Sequence, residues 1–156
     1  MVYVFDTSAL SALFKNFYPD IFTSLWELFD ELVDDGNLIS TREAGREIMD
    51  SSIDSLLDWH KDNKDIFHTP TAAEGLFVAE IYKVPHFQQN IEKRKLLNGG
   101  KNADPFIIAK ASVIQGTVVT TEKFKPNATK IPNICKKFDV NCMSLEEFMA
   151  KEGWKF

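Results

Sequence analysis

Hydrophobic and polar residues are arranged along the chain in blocks that predict short buried strands between longer amphipathic helices. Val2–Phe5 is apolar throughout and rich in β-branched and aromatic residues, as in a strand that is buried on both faces of a parallel sheet. Three later segments are also short and contain β-branched or other apolar residues: Leu38–Ile39, Thr117–Thr120 and Val140–Cys142. We therefore predict strands at these four places, each followed by helix.

Apolar residues at helical spacing dominate most of the chain between these strands. Asp104 precedes Pro105, and an acid followed by proline is a strong helix start with the acid as the cap. Ser144, with Glu147 three positions later, has the same capping role for the last helix. The predicted helices are Ser8–Phe14, Ile21–Val33, Thr41–Met49, Ser52–Trp59, Ala72–Tyr82, Phe87–Leu97, Asp104–Gln115, Pro132–Phe138 and Ser144–Lys151.

This alternation of strands and helices predicts an α/β protein. We expect a three-layer α/β/α sandwich around a central, mainly parallel sheet of four to five strands. A length of 156 residues fits one domain over residues 1–156, and 44% hydrophobic residues suffice for a packed core.

Two further features of the sequence bear on the cellular location of the protein and on the state of its cysteines. No apolar stretch approaches the roughly 18 residues of a membrane span, and the first residues lack the layout of a signal peptide, so we expect a cytoplasmic protein without a membrane partner. Cys135 and Cys142 have neither CxxC spacing nor suitable histidines nearby, and we interpret them as reduced packing residues.

Charge is divided unevenly between the two parts of the chain. The net charge of −5 disfavours nucleic acid, but residues 1–90 carry 16 acidic and 6 basic residues, whereas residues 91–156 carry 7 acidic and 12 basic ones. A positive side could guide a phosphate backbone. Arg42, Arg46 and Lys123 are candidate phosphate contacts, with an ordinary solvated surface as the alternative.

Acidic residues occur where the carboxyl ends of the predicted strands should meet. Asp6 follows the first strand, Glu122 lies two residues beyond the Thr117–Thr120 strand, and Asp104 begins a helix. Glu43 and Glu47 are one turn apart on the helix after the second strand. Sites in open parallel sheets form at this edge, and clustered carboxylates call for a cation such as Mg²⁺ or Mn²⁺.

Each acid has a simpler explanation when it is taken alone. Asp6 could merely cap the helix from Ser8, and Asp104 could cap the helix from Pro105. Their joint placement favours a metal site. One or two ions there would activate water and stabilise the attacking and leaving oxygens of a phosphodiester, which is nuclease chemistry.

Four segments resemble the motifs of PIN-domain nucleases and occur in the order of that family. They are Val4–Ser8, Thr41–Ile48, Ala103–Ala111 and Val118–Glu122. The segment Ile131–Cys135 is similar to a prokaryotic PIN subgroup that is usually described only as a domain of unknown function. The resemblance implies a PIN-like fold and metal-dependent cleavage of single-stranded RNA, often by the toxin of a toxin-antitoxin pair, as in VapC-like proteins.

The resemblance also implies roles for individual residues. The metal ligands, which form the catalytic set, would be Asp6, Glu47, Asp104 and Glu122. Ser8 and Thr120 would orient these carboxylates or bound waters. Glu43 stays open as an alternative or supporting acid, although the Glu-Ile pair at positions 47 and 48 favours Glu47.

The chain departs from the family pattern at one position. The resemblance also implies partners for the protein. The wider family more often has Asp where this chain has Glu122, so this side chain would reach a metal through water. Single-stranded RNA is the implied substrate, and an antitoxin protein and a second copy of the chain are further partners to consider.

Two other functions compete with the nuclease. A catalytically silent PIN-like interaction module would use the same acids to hold a structural ion or to cap helices. A phosphohydrolase related to haloacid dehalogenases also places an acid after the first strand, but its Asp-x-Asp pattern would require an acid where this chain has Ser8.

Overall fold

A wholly parallel, five-stranded sheet forms the centre of the computed structural model, which describes residues 1–156. The strands lie in the order β3-β2-β1-β4-β5. Their bounds are β1 Tyr3–Phe5, β2 Leu38–Thr41, β3 Phe67–His68, β4 Thr117–Thr120 and β5 Asn141–Ser144. All five carboxyl ends therefore meet at one edge of the sheet.

Nine α-helices connect and cover these strands. A short 3-10 helix at Lys64–Ile66 leads into β3. The α-helices are α1 Thr7–Asn16, α2 Thr23–Asp34, α3 Arg42–Ile48, α4 Asp54–Asp62, α5 Ala72–Tyr82, α6 Pro85–Leu97, α7 Asp104–Ile114, α8 Ile131–Lys137 and α9 Leu145–Lys151. None of them combines the length and the apolar character needed to cross a lipid bilayer.

The sheet separates two hydrophobic cores. Successive side chains of a strand point to opposite faces, so Tyr3 and Phe5 enter one core and Val4 enters the other. Helices α1, α2, α4 and α9 contribute buried residues to the first core, and helices α5 to α8 contribute to the second. This arrangement confirms the predicted three-layer α/β/α sandwich.

Aromatic packing fixes the strand that precedes the candidate site. Phe5 is fully buried and meets Phe148 edge-to-face, with ring centroids 4.9 Å apart. Tyr3 meets the same ring at 4.8 Å. Such pairs contribute about 0.5–1.5 kcal/mol each beyond the area they bury. The backbone that carries Asp6 therefore emerges from a rigid part of the core.

Several local predictions can be compared with the structure. The four predicted strands and the helices between them are present within a few residues, whereas β3 was not predicted. Ser144 caps α9 by accepting a bond from the Glu147 amide at 3.1 Å, as predicted. Both cysteines are free thiols, and Cys135 is buried.

The predicted capping role of Asp104 is wrong. Helix α7 begins at Asp104 itself, and the N-cap is Ala103, which has helical backbone angles and no capping side chain. The carboxylate of Asp104 accepts a hydrogen bond from Arg94 and lines the cavity described below. It is therefore available to the carboxyl edge of the sheet.

Candidate active site

A polar cavity lies at the carboxyl edge of the sheet, beside the neighbouring strands β1 and β4. From β1 the chain continues to β2 and β3 on one side, whereas β4 and β5 lie on the other side, so this is the topological switch point where α/β proteins place their sites. The cavity has a volume of about 430 Å³ and no hydrophobic side chain in its wall. Its lining residues are Asp6, Thr7, Ser8, Glu47, Asp50, Asn98, Lys101, Asp104 and Glu122.

Asp6 is the most firmly held of the acids. Its Oδ1 accepts a bond from the Ala9 amide at 2.8 Å, which caps α1. The Ser8 hydroxyl lies 2.8 Å from both carboxylate oxygens, and the Thr120 hydroxyl donates to Oδ2 at 2.6 Å. Asp6 therefore serves as a helix cap and lines the cavity at once, so the two roles are not alternatives.

Glu47, and not Glu43, shares the cavity with Asp6. The Thr7 hydroxyl donates to Glu47 Oε1 at 2.6 Å, and the Ala103 amide lies 3.4 Å from Oε2. Glu43 instead pairs with Arg42 at 2.9 Å on the wall of a separate cavity. The structure thus places Glu47 in the cavity of Asp6 and Glu43 in another one.

Asp104 and Glu122 are joined by an arginine that sequence reasoning did not single out. Arg94 Nη1 donates to Asp104 Oδ2 at 2.8 Å and lies 4.0 Å from Glu122 Oε1. Glu122 Oε2 also accepts a bond from the Ile131 amide at 2.9 Å. In the sequence Arg94 was only one member of a basic run, Lys93-Arg94-Lys95, and nothing distinguished it from a surface residue.

The cavity holds negative charge that its surroundings do not fully neutralise. Burial raises the pKa of Asp6 from 3.8 to about 6, and the charge of Glu122 adds to the shift, whereas hydrogen bonds, chiefly from Thr120, oppose it. Burial also raises the pKa of Asp104 from 3.8 to about 7, with Glu122 as the next cause and Arg94 acting in the opposite direction. A bound cation would relieve this repulsion.

The oxygen donors of the cavity wall suit a divalent ion, but the side chains are not already arranged around an ion site. Five carboxylates line this wall, namely the four predicted acids and Asp50, and the wall has no apolar side chain. Carboxylates are the hard oxygen donors that Mg²⁺ and Mn²⁺ prefer. However, no three His, Cys, Asp or Glu side chains are grouped closely enough to hold an ion. Each carboxylate is instead bonded to a protein donor. Ion binding would therefore require some of these side chains to turn.

The remaining candidate residues fall in different places. Ser8 and Thr120 both contact Asp6, as their proposed orienting role requires. Arg42 and Arg46 line the cavity of Glu43, away from the four acids. Lys123 lies beyond Glu122, in a larger cavity of about 810 Å³ beside β5 and α8.

Four further residues that line the polar cavity were not predicted from the sequence as site residues. Lys101 lines its wall and pairs with Asp50 at 2.7 Å. Asn98 lines it from the turn after α6. Thr7 lies in the Val4–Ser8 motif, and its position directly after Asp6 could have indicated that it lines the site.

Comparisons with known proteins place the chain in a family and identify its fold. Residues 3–156 match the family model described as "Domain of unknown function (DUF4411)". No curated protein matches the sequence significantly. A similar solved structure is the crystal structure of VapBC2 from Rickettsia felis bound to a DNA fragment from their promoter, with 16% identity, 92% of this chain and 98% of that chain covered, and a TM-score of 0.51. At this identity the likeness concerns the fold. The parallel sheet and the structural similarity show the fold of VapC-like PIN domains, and the family match shows that the chain belongs to the DUF4411 family.

Proposed function

We propose that this protein is a divalent-metal-dependent endoribonuclease that cleaves single-stranded RNA. One observation carries the proposal: four acids from four separate parts of the chain line the same cavity at the switch point of the sheet. They are Asp6, Glu47, Asp104 and Glu122. Convergent carboxylates at this edge are suited to holding one or two Mg²⁺ or Mn²⁺ ions.

The protein's own groups would prepare the site for such an ion. Ser8 and Thr120 fix the orientation of the Asp6 carboxylate, and Thr7 fixes that of Glu47. Asp104 enters the cavity from the first turn of α7. When bound, Mg²⁺ or Mn²⁺ would supply positive charge for the scissile phosphate and increase the acidity of the attacking water.

The carboxyls with raised pKa values couple ion binding to proton release. Asp6 and Asp104 must be ionised to act as ligands, and burial favours their protonated forms in the absence of a cation. No side-chain nucleophile is needed, because water is the attacking group. The wall contains no cysteine or histidine that could take that part.

The likeness to a VapBC2 complex supports a further part of the proposal, namely that this chain acts as the toxin of a toxin-antitoxin pair. Under this proposal an antitoxin protein binds the chain and restrains the nuclease. A gene for a small DNA-binding protein directly beside the coding gene would support this pairing. Co-purification of the two products would test it.

Replacing Asp6 with asparagine tests the proposed activity. We expect Asp6→Asn to lower Mn²⁺-dependent cleavage of a single-stranded RNA by more than about 100-fold, because even outer partners of a metal contribute about 10- to 100-fold. Glu80→Gln is the matched control, since Glu80 is an exposed acid that pairs with Lys83 on α5. The control should cleave as the wild type does. Cleavage by Asp6→Asn at the wild-type rate would refute the proposal.

A catalytically silent interaction module remains the second candidate, and one observation favours it. No three acids are close enough to hold an ion without rearrangement. Both functions predict that Mn²⁺ raises the melting temperature, so melting does not separate them. RNA turnover does: a silent module would bind Mn²⁺ and leave a pool of single-stranded RNA intact at any enzyme concentration.

A further inference from the structure

We propose that the guanidinium of Arg94 takes the place of a second divalent cation beside Asp104 and Glu122, so that the cavity binds a single ion. The inference rests on the proposed function, because it concerns the same four carboxylates. It adds a property of this chain that the proposed activity leaves open, namely how many ions the site takes and which residue sets that number.

The contacts of Arg94 place its charge at the acids. Nη1 donates to Asp104 Oδ2 at 2.8 Å and lies 4.0 Å from Glu122 Oε1, while Nη2 donates to the Thr129 carbonyl at 2.7 Å. The side chain is thus held between α6, the start of α7 and the loop after β4. Lys101 also lines the cavity, but it pairs with Asp50 and forms no ion pair with the four acids.

The burial of Arg94 indicates that the carboxylates hold it there. Its side chain is only 26% exposed, and its Nε is buried without any hydrogen-bond partner. A buried donor without a partner is unfavourable, and it persists only where other interactions compensate. The charges of Asp104 and Glu122 are the compensating interactions within reach.

The position of the guanidinium conflicts with a second ion. A Mg²⁺ or Mn²⁺ ligated by Asp104 Oδ2 would need to lie about 2.1 Å from the oxygen that Arg94 Nη1 already bonds at 2.8 Å. On the side towards Glu122 the two cations would also repel each other. Asp6 and Glu47 have no cationic partner among their hydrogen bonds and ion pairs, so their side of the cavity is open to one ion.

A guanidinium can perform part of the task of a second ion. It is always charged, and it presents several N–H donors in a plane that matches the oxygens of a phosphate. In a nuclease Arg94 would therefore stabilise charge on the phosphate without activating a second water. It would act as a positioning and charge-stabilising residue beside the single ion.

Counting bound Mn²⁺ tests the inference without relying on activity. We expect about one ion per chain in the wild type at pH 8, by electron paramagnetic resonance of free Mn²⁺ together with calorimetric titration. Arg94→Met should bind one additional ion. Arg94→Gln removes the same charge but keeps a polar side chain, and it should give the same gain. Lys101→Met removes a cation from the same wall and should bind as many ions as the wild type.

Each outcome decides the question. Two ions in the wild-type cavity would overturn the inference, whether or not the variants fold. Equal counts in the wild type and in the folded Arg94 variants would also overturn it, as would the absence of any Mn²⁺ binding. A wild type that binds two ions and cleaves RNA would leave the proposed function intact. A wild type that binds one ion, gains a second in the variants and cleaves no RNA would refute only the nuclease.

Discussion

Asp6 shows how one carboxylate can cap a helix and line a cavity at the same time. Its bond from the Ala9 amide closes the first turn of α1, while Thr120 and Ser8 orient the remaining lone pairs within the cavity wall. The sequence predicted the acid and both hydroxyl residues. It could not decide between capping and ligation, because the hydroxyl of Thr120 arrives from a strand more than a hundred residues away.

Thr120 is the residue whose hydroxyl links two of the acids. It donates to Asp6 Oδ2 at 2.6 Å and accepts from the Glu122 amide at 3.1 Å. We expect Thr120→Val to reduce RNA cleavage by about 10- to 100-fold and to lower the free energy of unfolding by about 1–3 kcal/mol, because it retains the shape and removes the hydrogen bonds to Asp6 Oδ2 and to the Glu122 amide. Cleavage rates and urea unfolding measure the two effects.

Thr117→Val is the matched control at the other end of β4. Thr117 is buried too, but the only side-chain hydrogen bond of its hydroxyl is to Met1 Sδ at 3.8 Å. This variant should cleave RNA at close to the wild-type rate. Equal losses of cleavage in the two variants would contradict an orienting role for Thr120.

The raised pKa values of Asp6 and Asp104 predict how pH affects stability with and without metal. Without metal, their protonated forms stabilise the fold, so this contribution is present below about pH 4 and is lost as the pH rises through 6 to 7. Mn²⁺ requires the ionised forms and reverses the trend. At 100 times the dissociation constant, Mn²⁺ should raise the melting temperature by about 5–10 °C near pH 7.5 and by clearly less near pH 5.5.

Thermal melts with Mn²⁺ and with a chelator, at both pH values, measure this difference. Burial also lowers the pKa of His60 and of His68, but these two side chains affect the melts with and without Mn²⁺ alike. The difference between the melts therefore reports the carboxyls. A gain in melting temperature that is the same at both pH values would contradict the assignment of Asp6 and Asp104 as ligands.

At the scale of the elements, α3 depends on close packing to present Glu47. This helix has only seven residues, and a Cβ at Gly45 would lie 2.9 Å from His60 Nε2 and 3.3 Å from Phe67 Cδ1. The glycine thus allows α3 to pack tightly against α4 and β3. The position of Glu47 in the cavity follows from that contact.

Alanine substitution at two glycines measures this packing. Gly45→Ala should lower the free energy of unfolding by about 1–3 kcal/mol, because the methyl group overpacks the contact with His60 and Phe67. Gly75→Ala, in α5, is the control, since its Cβ would meet nothing within 4 Å and should stabilise the helix by about 0.5–1 kcal/mol. Urea unfolding compares them. A neutral Gly45→Ala would show that the contact relaxes without cost.

The features that were not predicted, strand β3 and the contact between Arg94 and Asp104, have no distinctive pattern in the local sequence. Strand β3 has two residues, too few for any periodicity, and it exists because it pairs with the end of β2. The contact between Arg94 and Asp104 joins two helices across a turn that contains Gly99 and Gly100. The two glycines indicate a turn, but nothing within those ten positions shows that it brings Arg94 against Asp104. The buried strands and amphipathic helices were predictable because burial on defined faces imposes their periodicity.

At the scale of the whole molecule, the cavity lies where the two differently charged parts of the chain meet. Asp6 and Glu47 come from residues 1–90, which carry the excess of acids. Asp104, Glu122 and Arg94 come from residues 91–156, which carry the excess of lysine and arginine. The uneven distribution of charge was visible in the sequence. The place where the acidic and basic parts of the chain meet was not, because that place depends on the parallel pairing of β1 with β4.

The most direct test of the central claim is to locate Mn²⁺ in a crystal of the protein by its anomalous scattering. We predict a peak in the cavity about 2.0–2.3 Å from a carboxylate oxygen of Asp6, with Glu47 or Asp104 as a further ligand. Peaks only outside the cavity, or none at a concentration of Mn²⁺ that supports cleavage, would contradict the account.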